Sequence, residues 1–266
     1  MHEAGSANEV WVDLLTRVYS SQTSTSPRGL LTKELLGCQT KVDMTRPVIS
    51  IKGRKLGRRF LAAEAWWILT GRNDVASISP YSKDISKFSD DGKRFSGAYG
   101  PAIVDQLTFV CDALTSDQDT RQAVATIWRR NPRPSKDVPC TVACQWLIRG
   151  GKLHCVDTMR SSDVWLGFPY DVFNFSMLSA MILLTLRQWG DVFKDVGLGT
   201  LILTAGSQHL YESNFKAVEQ LFDDLSADQY APLDVDDFSS PEQLVGLLEC
   251  RKDGKYFGLP WMKELY

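Results

Sequence analysis

Histidine is scarce in this chain, three among 266 residues, and the six cysteines (Cys38, Cys111, Cys140, Cys144, Cys155, Cys250) are scattered, with no Cys-x-x-Cys pair. Zinc sites need Cys and His clustered at short spacings, so this pattern argues against a metal site. An excess of positive charge is also missing: 30 Lys and Arg stand against 32 Asp and Glu, a formal charge of −2. No global field draws the protein to nucleic acid or to an anionic membrane, and a bound phosphate needs a local cluster of arginines. Long apolar runs are absent too. The stretch 181–186 is too short to cross a bilayer, and the opening MHEAGSANEV lacks the basic start and apolar core of a secretory signal. These absences predict a cytoplasmic protein with free thiols, most of them buried and inert.

What is present is ordinary globular composition, 44% hydrophobic and 23% charged. It suits a single domain over 1–266 with a loose start at 1–8. Apolar spacing predicts helices over 10–19, 59–70, 102–116, 171–189 and 211–225. The helix over 171–189 is apolar nearly all round and should be buried. Strands are expected around 35–42, 47–52, 121–128, 141–149, 152–159 and 201–205, with Gly150-Gly151 as a tight hairpin. Helices mixed with mostly antiparallel strands make the class α+β.

Four clusters carry possible chemistry. Cys140 opens a strand, and a cysteine acts as a nucleophile only as its thiolate, beside positive charge. Alone it reads more simply as a small buried hydrophobe. Cys144 should share its strand face yet be dispensable. Residues 159–171 (MRSSDVWLGFPYD) begin with Arg160 and Ser161, a guanidinium fork and a hydroxyl suited to an anion, and end at Asp171, which reads equally as a helix N-cap. His209 and Tyr211 are spaced to point to one side of an extended backbone, as a sugar hydroxyl needs, or they are core residues satisfied by backbone. Glu64, in the apolar middle of a helix, is either an acid–base group with a raised pKa or an exposed Glu beside inward aromatics.

Taken together and in order, these clusters resemble the thymidylate synthase family over nearly the whole chain. The family's Pro-Cys-His run reads Pro139-Cys140-Thr141, followed by Gln145-Trp146. Its Arg-Ser-x-Asp-x-x-Leu-Gly-x-Pro-x-Asn block reads Arg160, Ser161, Asp163, Leu166, Gly167, Pro169 and then Asp171. Its Gly-Asp-x-His-x-Tyr reads Gly206, Ser207, His209 and Tyr211. Its Asp-x-Arg-Arg reads Asp119, Arg121 and Gln122, its Glu-bearing helix reads Glu64, and its Tyr-Gly reads Tyr99-Gly100.

The resemblance implies a large mixed sheet with a long buried helix, a homodimer packed through the sheet, and 5,10-methylenetetrahydrofolate as co-substrate. It implies Cys140 as nucleophile with Glu64, Asp171 and Tyr99 in catalysis. Arg28, Arg160, Ser161 and the partner subunit's Arg121 would hold a 5′-phosphate, with Lys136 or Arg130 as stand-ins where Gln122 replaces the family's second arginine. His209 and Tyr211 would hold the sugar, Ser162 and Asp163 would also touch the nucleotide, and Asp163, Gly167 and Trp67 would bind the folate.

The departures bear on function. The family's Asn reads uracil with one donor and one acceptor, and here that position is Asp171. A carboxylate accepts from cytosine's 4-amino group, and the second bond forms if the acid or the base N3 is protonated. This change, with Cys140-Thr141 and Gly206-Ser207, is similar to the deoxycytidylate hydroxymethylases and to related enzymes acting on CMP. The loop before Tyr99, SKDISKFSDDGKRFSGAYG, has no tryptophan, which predicts a more open or more polar site. The expected reaction is 5-hydroxymethylation of CMP or dCMP. A thymidylate synthase proper acting on dUMP, and a nucleotide binder without catalysis, are the alternatives.

Overall fold

The computed structural model describes residues 4–255. Helix α1 (Ala7–Tyr19) starts at a capping box: Ser6 and Glu9 satisfy each other's backbone N–H. Gly5 bridges to Val42. The part of the expected loose start that is described, 4–8, is therefore fixed, and residues 1–3 lie outside the described residues. Trp11, Leu14, Leu15 and Val18, spaced one helical turn apart, are fully buried, and the Trp11 indole donates to the carbonyl of Val164 at 2.7 Å.

Six strands form one sheet: β1 (Ser24–Thr25), β2 (Thr32–Asp43), β3 (Val124–Thr126), β4 (Thr141–Arg149), β5 (Lys152–Asp163) and β6 (Gly197–Tyr211), in spatial order β1-β2-β6-β5-β4-β3. All pairs are antiparallel except β5 with β6. Gly150 and Gly151 both take positive φ, 57° and 71°, which a two-residue hairpin turn requires and a side chain would oppose. Between them β5 and β6 run well beyond the expected limits, because parallel pairing continues to Asp163↔His209. Conversely, only three residues of 121–128 pair as β3, and 47–52 forms no strand, only an isolated bridge from Ile51 to Ala227.

The helices are α2 (Arg58–Leu69), α3 (Val75–Ile78), α4 (Tyr99–Ser116), α5 (Phe168–Trp189), α6 (Phe215–Phe222) and α7 (Pro241–Lys252). α5 lies against the sheet and is enclosed by its neighbours. By length and composition alone it could cross a membrane, but 83% of its apolar window is buried inside the protein, as the core helix of a globular fold would be. Inside it, the hydroxyls of Ser176 and Ser179 return to carbonyls four residues back, at 2.7 and 2.8 Å, so neither hydroxyl is stranded there. Phe173 and Phe175 fill the space around it; truncating such a side chain to Ala costs about 3–5 kcal/mol. Tyr211 ends β6 rather than opening a helix, and α7 was not expected from the sequence.

Candidate active site

Cys140 sits just before β4, half-buried, and faces a guanidinium. Arg160 donates through Nε to the carbonyl of Pro139 and through Nη2 to that of Val138, both at 2.9 Å, with Nη2 also 3.8 Å from Cys140 Sγ. Burial is the largest influence on the thiol and pushes it up to about 11; Arg160 opposes this, while Asp171, Asp137 and Asp163 add to it. Burial thus favours the protonated thiol at neutral pH, and Arg160 is placed to favour the thiolate.

Even spacing would set Cys144 beside Cys140. Instead Thr141 and Cys144 are both fully buried, a spacing of three that regular alternation forbids, and a register shift between Thr141 and Ala143 explains it. Cys144 lies in the core, its thiol 3.6 Å from the Asp157 carboxylate.

A cleft of about 580 Å³ opens over the ends of β2, β5 and β6. Arg28, Lys136, Arg160 and Ser161 give it cationic and hydroxyl walls, and Glu34, Ser207, His209 and Tyr211 line it as well. Arg28 reaches the cleft from a turn in which its own φ is 55°, a left-handed conformation costing a non-glycine residue about 1–2 kcal/mol. His209 and Tyr211 lie edge to face at 5.1 Å, side by side as their spacing predicts. Arg121 does not line this cleft. It is exposed just before β3, its carbonyl accepting from the Gln145 side chain. Arg130 also lies outside the cleft lining.

A second cavity, about 180 Å³, adjoins α2 and α5. Trp67, Ile85, Phe88, Phe95 and Tyr99 form apolar walls, and Glu64, Asp137, Asp171 and Asn174 form a polar, largely acidic edge. Glu64 accepts from Asn174 Nδ2 at 2.8 Å, and burial pushes its carboxyl up to about 7 against that bond. Asp171 lies in the first turn of α5, four residues after the Gly167 N-cap, so it is not the cap itself. Burial holds its carboxyl well above the usual range, and the charges of Glu64, Asp157 and Asp163 reinforce this. Both influences favour the protonated carboxyl, the form that offers one donor and one acceptor. Tyr99 stacks on Phe175 and its hydroxyl accepts from the backbone N–H after Cys140, at 3.2 Å.

Three expected contacts lie elsewhere. Ser162 points away from the cleft: it is 2% exposed and its hydroxyl accepts from Gln208 Nε2 at 3.2 Å, because neighbours on a strand face opposite sides. Asp163 spends one oxygen on the turn into α5, accepting from the backbone of Trp165 and Leu166 at 2.8 and 2.9 Å. Asp163 and Gly167 are absent from the lining of the aromatic cavity, where Trp67 alone of the expected folate contacts stands. The loop without tryptophan does not leave a polar wall either, since Ile85, Phe88 and Phe95 cover it.

Sequence reasoning missed Asn174, which shares a helix face with Asp171, and Glu34 and Asp157 on the sheet. A polar side chain inside the apolar run of α5 was the available signal for Asn174. Among the described residues, no group of three His, Cys, Asp or Glu is arranged to hold a metal ion.

Residues 9–237 match the family described as thymidylate synthase. The deoxyuridylate hydroxymethyltransferase of Bacillus phage SP01 is 29% identical over 266 aligned positions, which cover 91% of this chain. The chain spans 66% of that relative's length. The extent of the family match decides the classification: the chain belongs to the thymidylate synthase family.

Proposed function

We propose that this protein is a cytoplasmic, folate-dependent hydroxymethyltransferase acting at C5 of a cytidine monophosphate, working as a homodimer. Arg28, Arg160, Ser161 and the partner subunit's Arg121 hold the 5′-phosphate, and His209 and Tyr211 hold the sugar. Cys140, helped to its thiolate by Arg160, adds to C6 and makes C5 nucleophilic. The aromatic cavity, an apolar slot with a polar edge, fits a pteridine ring with its polar N–H groups toward Glu64 and Asn174, which leaves Asp171 for the base. Methylenetetrahydrofolate, the co-substrate of thymidylate synthase-family enzymes, supplies the one-carbon unit at the oxidation level of formaldehyde. Once C5 has lost its proton and tetrahydrofolate has left, that carbon stands on C5 as an exocyclic methylene; Glu64 directs a water onto it and Cys140 departs from C6, leaving the hydroxymethyl group. The hydroxymethyltransferase named among the relatives supports water, rather than hydride, as the final acceptor.

The observation that carries the base assignment is the position of Asp171, a carboxyl in the first turn of α5 beside Glu64 and Asn174, where burial and neighbouring acids favour its protonated form. By hydrogen-bond count alone a neutral carboxyl fits either pyrimidine, just as an amide does. The two bases differ in basicity. Cytosine N3 is a genuine base and can take the proton, giving a bidentate, charge-assisted pair between carboxylate and protonated ring. That proton also makes C6 more electrophilic. The uracil carbonyl is far too weak a base to do this. Incubating the protein with methylenetetrahydrofolate and each of CMP, dCMP, UMP and dUMP, with products read by mass, tests the assignment. A hydroxymethylated cytidine nucleotide is expected. A methylated uridine nucleotide would identify a thymidylate synthase, and the absence of any product a binder.

A further inference from the structure

The nucleotide cleft contains one group that a phosphate site should not. Among its cationic and hydroxyl walls stands Glu34, half-buried on β2. A carboxylate beside a phosphate raises the cost of binding unless it serves a different part of the ligand. On the sugar of a nucleotide, the neutral groups with hydrogens to donate are the ribose hydroxyls.

The register of the sheet places Glu34 with the sugar-facing residues. Glu34 pairs directly with His209 across β2 and β6, and directly paired side chains on an antiparallel pair stand on one face with Cβ atoms about 4.5–5.5 Å apart. Thr32 pairs with Tyr211 in the same way, so residues 32 and 34 of one strand face 209 and 211 of the next. Glu34 is also held in position. Ser207 donates its hydroxyl to Glu34 Oε1 at 2.5 Å, which fixes one carboxylate oxygen and leaves Oε2 for the cleft. On the other side Ser207 pairs with Ser161 across β6 and β5. Ser161 and Glu34 are therefore two strand spacings apart across the sheet and offset by two residues along it, about 11–12 Å, which leaves room for a pentose phosphate between them.

A deoxyribose offers one free hydroxyl to this end of the cleft, and His209 with Tyr211 already satisfies it. Glu34 would then lose water without gaining a donor. A ribose offers two neighbouring hydroxyls. A carboxylate accepting from a ribose 2′-hydroxyl is the arrangement that dinucleotide-binding folds use. Resting on the reading of this cleft as a nucleotide site, we propose that Glu34 accepts a hydrogen bond from the 2′-hydroxyl, so that the protein takes ribonucleotides in preference to deoxyribonucleotides.

The test is calorimetric titration of CMP, dCMP, UMP and dUMP into the Cys140→Ala protein, which cannot turn over, repeated in the Glu34→Ala and Glu34→Gln backgrounds. Glu34 intact should bind CMP at least about tenfold more tightly than dCMP, and UMP more tightly than dUMP by a similar factor. Glu34→Ala should bring both ratios to within about twofold of unity through weaker ribonucleotide binding. Glu34→Gln keeps the volume but only one acceptor oxygen, so either Ser207 or the sugar hydroxyl meets the amide NH2 instead, and it should give an intermediate ratio even if the Ala variant folds poorly. Equal or tighter binding of the deoxynucleotides, or a ratio that Glu34→Ala leaves unchanged, overturns the proposal. Failure of the base assignment looks different: uridine nucleotides would bind best while the ribose preference persists. Failure of all four to bind overturns both.

Discussion

Arg160 is tied to the backbone on either side of the Pro139 peptide and still reaches to 3.8 Å from Cys140 Sγ. The guanidinium is thus fixed in place by the segment that carries the thiol. It supplies a nearby positive charge to a group that burial drives to about 11. Alkylation of Cys140 by iodoacetamide should accordingly rise about tenfold per pH unit from 7 to 10, following the thiolate fraction. Arg160→Ala should slow it by about tenfold at pH 9, roughly one unit of lost charge stabilisation. A rate already level at pH 7 would show that the thiolate is present without substrate. Cys140→Ala should lose all turnover while still binding nucleotide.

Asp171→Asn exchanges an acid that can give up its proton for an amide that cannot. The ratio of kcat/KM for uridine over cytidine nucleotides should rise by at least about tenfold, since a mispaired buried hydrogen bond is worth about 1–3 kcal/mol. Most of the change should be loss on cytidine, because protonation of N3 disappears with the carboxyl. An unchanged ratio would detach base choice from this residue.

Glu64 titrates near neutrality in the free site, at about 7. The rate of the hydroxymethylation step should depend on its protonation, and Glu64→Gln should lower kcat by about 10²–10⁴-fold. The limb of the pH–kcat/KM profile near 7 should vanish with it. A profile that keeps that limb in Glu64→Gln assigns it to another group.

Arg121 lies outside the cleft of its own chain. If the partner subunit's Arg121 completes the phosphate site, mixing two inactive variants, Arg121→Ala and Cys140→Ala, should restore activity. In a mixed dimer one site has both the thiol and the arginine. Random reassortment puts roughly half the protein in mixed dimers with one working site of two, so about a quarter of full activity returns. No recovery after verified subunit exchange would place Arg121 in its own site or in none.

Asp157 is fully buried, and its Oδ2 has no hydrogen-bond partner. Burial drives its carboxyl from 3.8 up to about 8. A folded-state pKa above the unfolded one means the native state holds the proton longer. The resulting stability is complete below pH 4 and is lost as pH rises toward 8. Asp157→Asn removes that dependence and should stabilise the fold by at least about 1 kcal/mol at pH 8, less at pH 5. Urea unfolding at the two pH values measures this, and a variant less stable at pH 8 would contradict it.

The chemistry along the chain was legible where it depends on local order. His209 beside Tyr211 and the buried run of α5 follow from period two and apolar composition. What could not be read was set by pairing between distant strands. Glu34 belongs to the cleft only because β2 lies in register with β6, 175 positions later at His209. Cys144 lost its place beside Cys140 to a register shift, and Ser162 was misassigned because motif adjacency ignores which way a strand residue points. Strand limits were missed where parallel pairing, invisible to local pattern, carries β5 and β6 on to the cleft. α7 went unseen because Leu244, Val245, Leu247 and Leu248 are broken by Gly246 and flanked by charge.

The two cavities share one clasp. Gly97 donates to Asp137 Oδ2 at 2.6 Å, and any side chain at 97 would strike the Asp137 carbonyl at 2.8 Å and the Pro139 nitrogen at 2.9 Å. Asp90 grips the same segment through Ser135 and the backbone of Lys136. The strap bearing Phe95 and Tyr99 is thereby riveted to the one bearing Cys140. A displacement of either strap therefore loads the hydrogen bonds that hold the other, and a substitution at Gly97 should disturb the aromatic cavity and the surroundings of the Cys140 sulfur together.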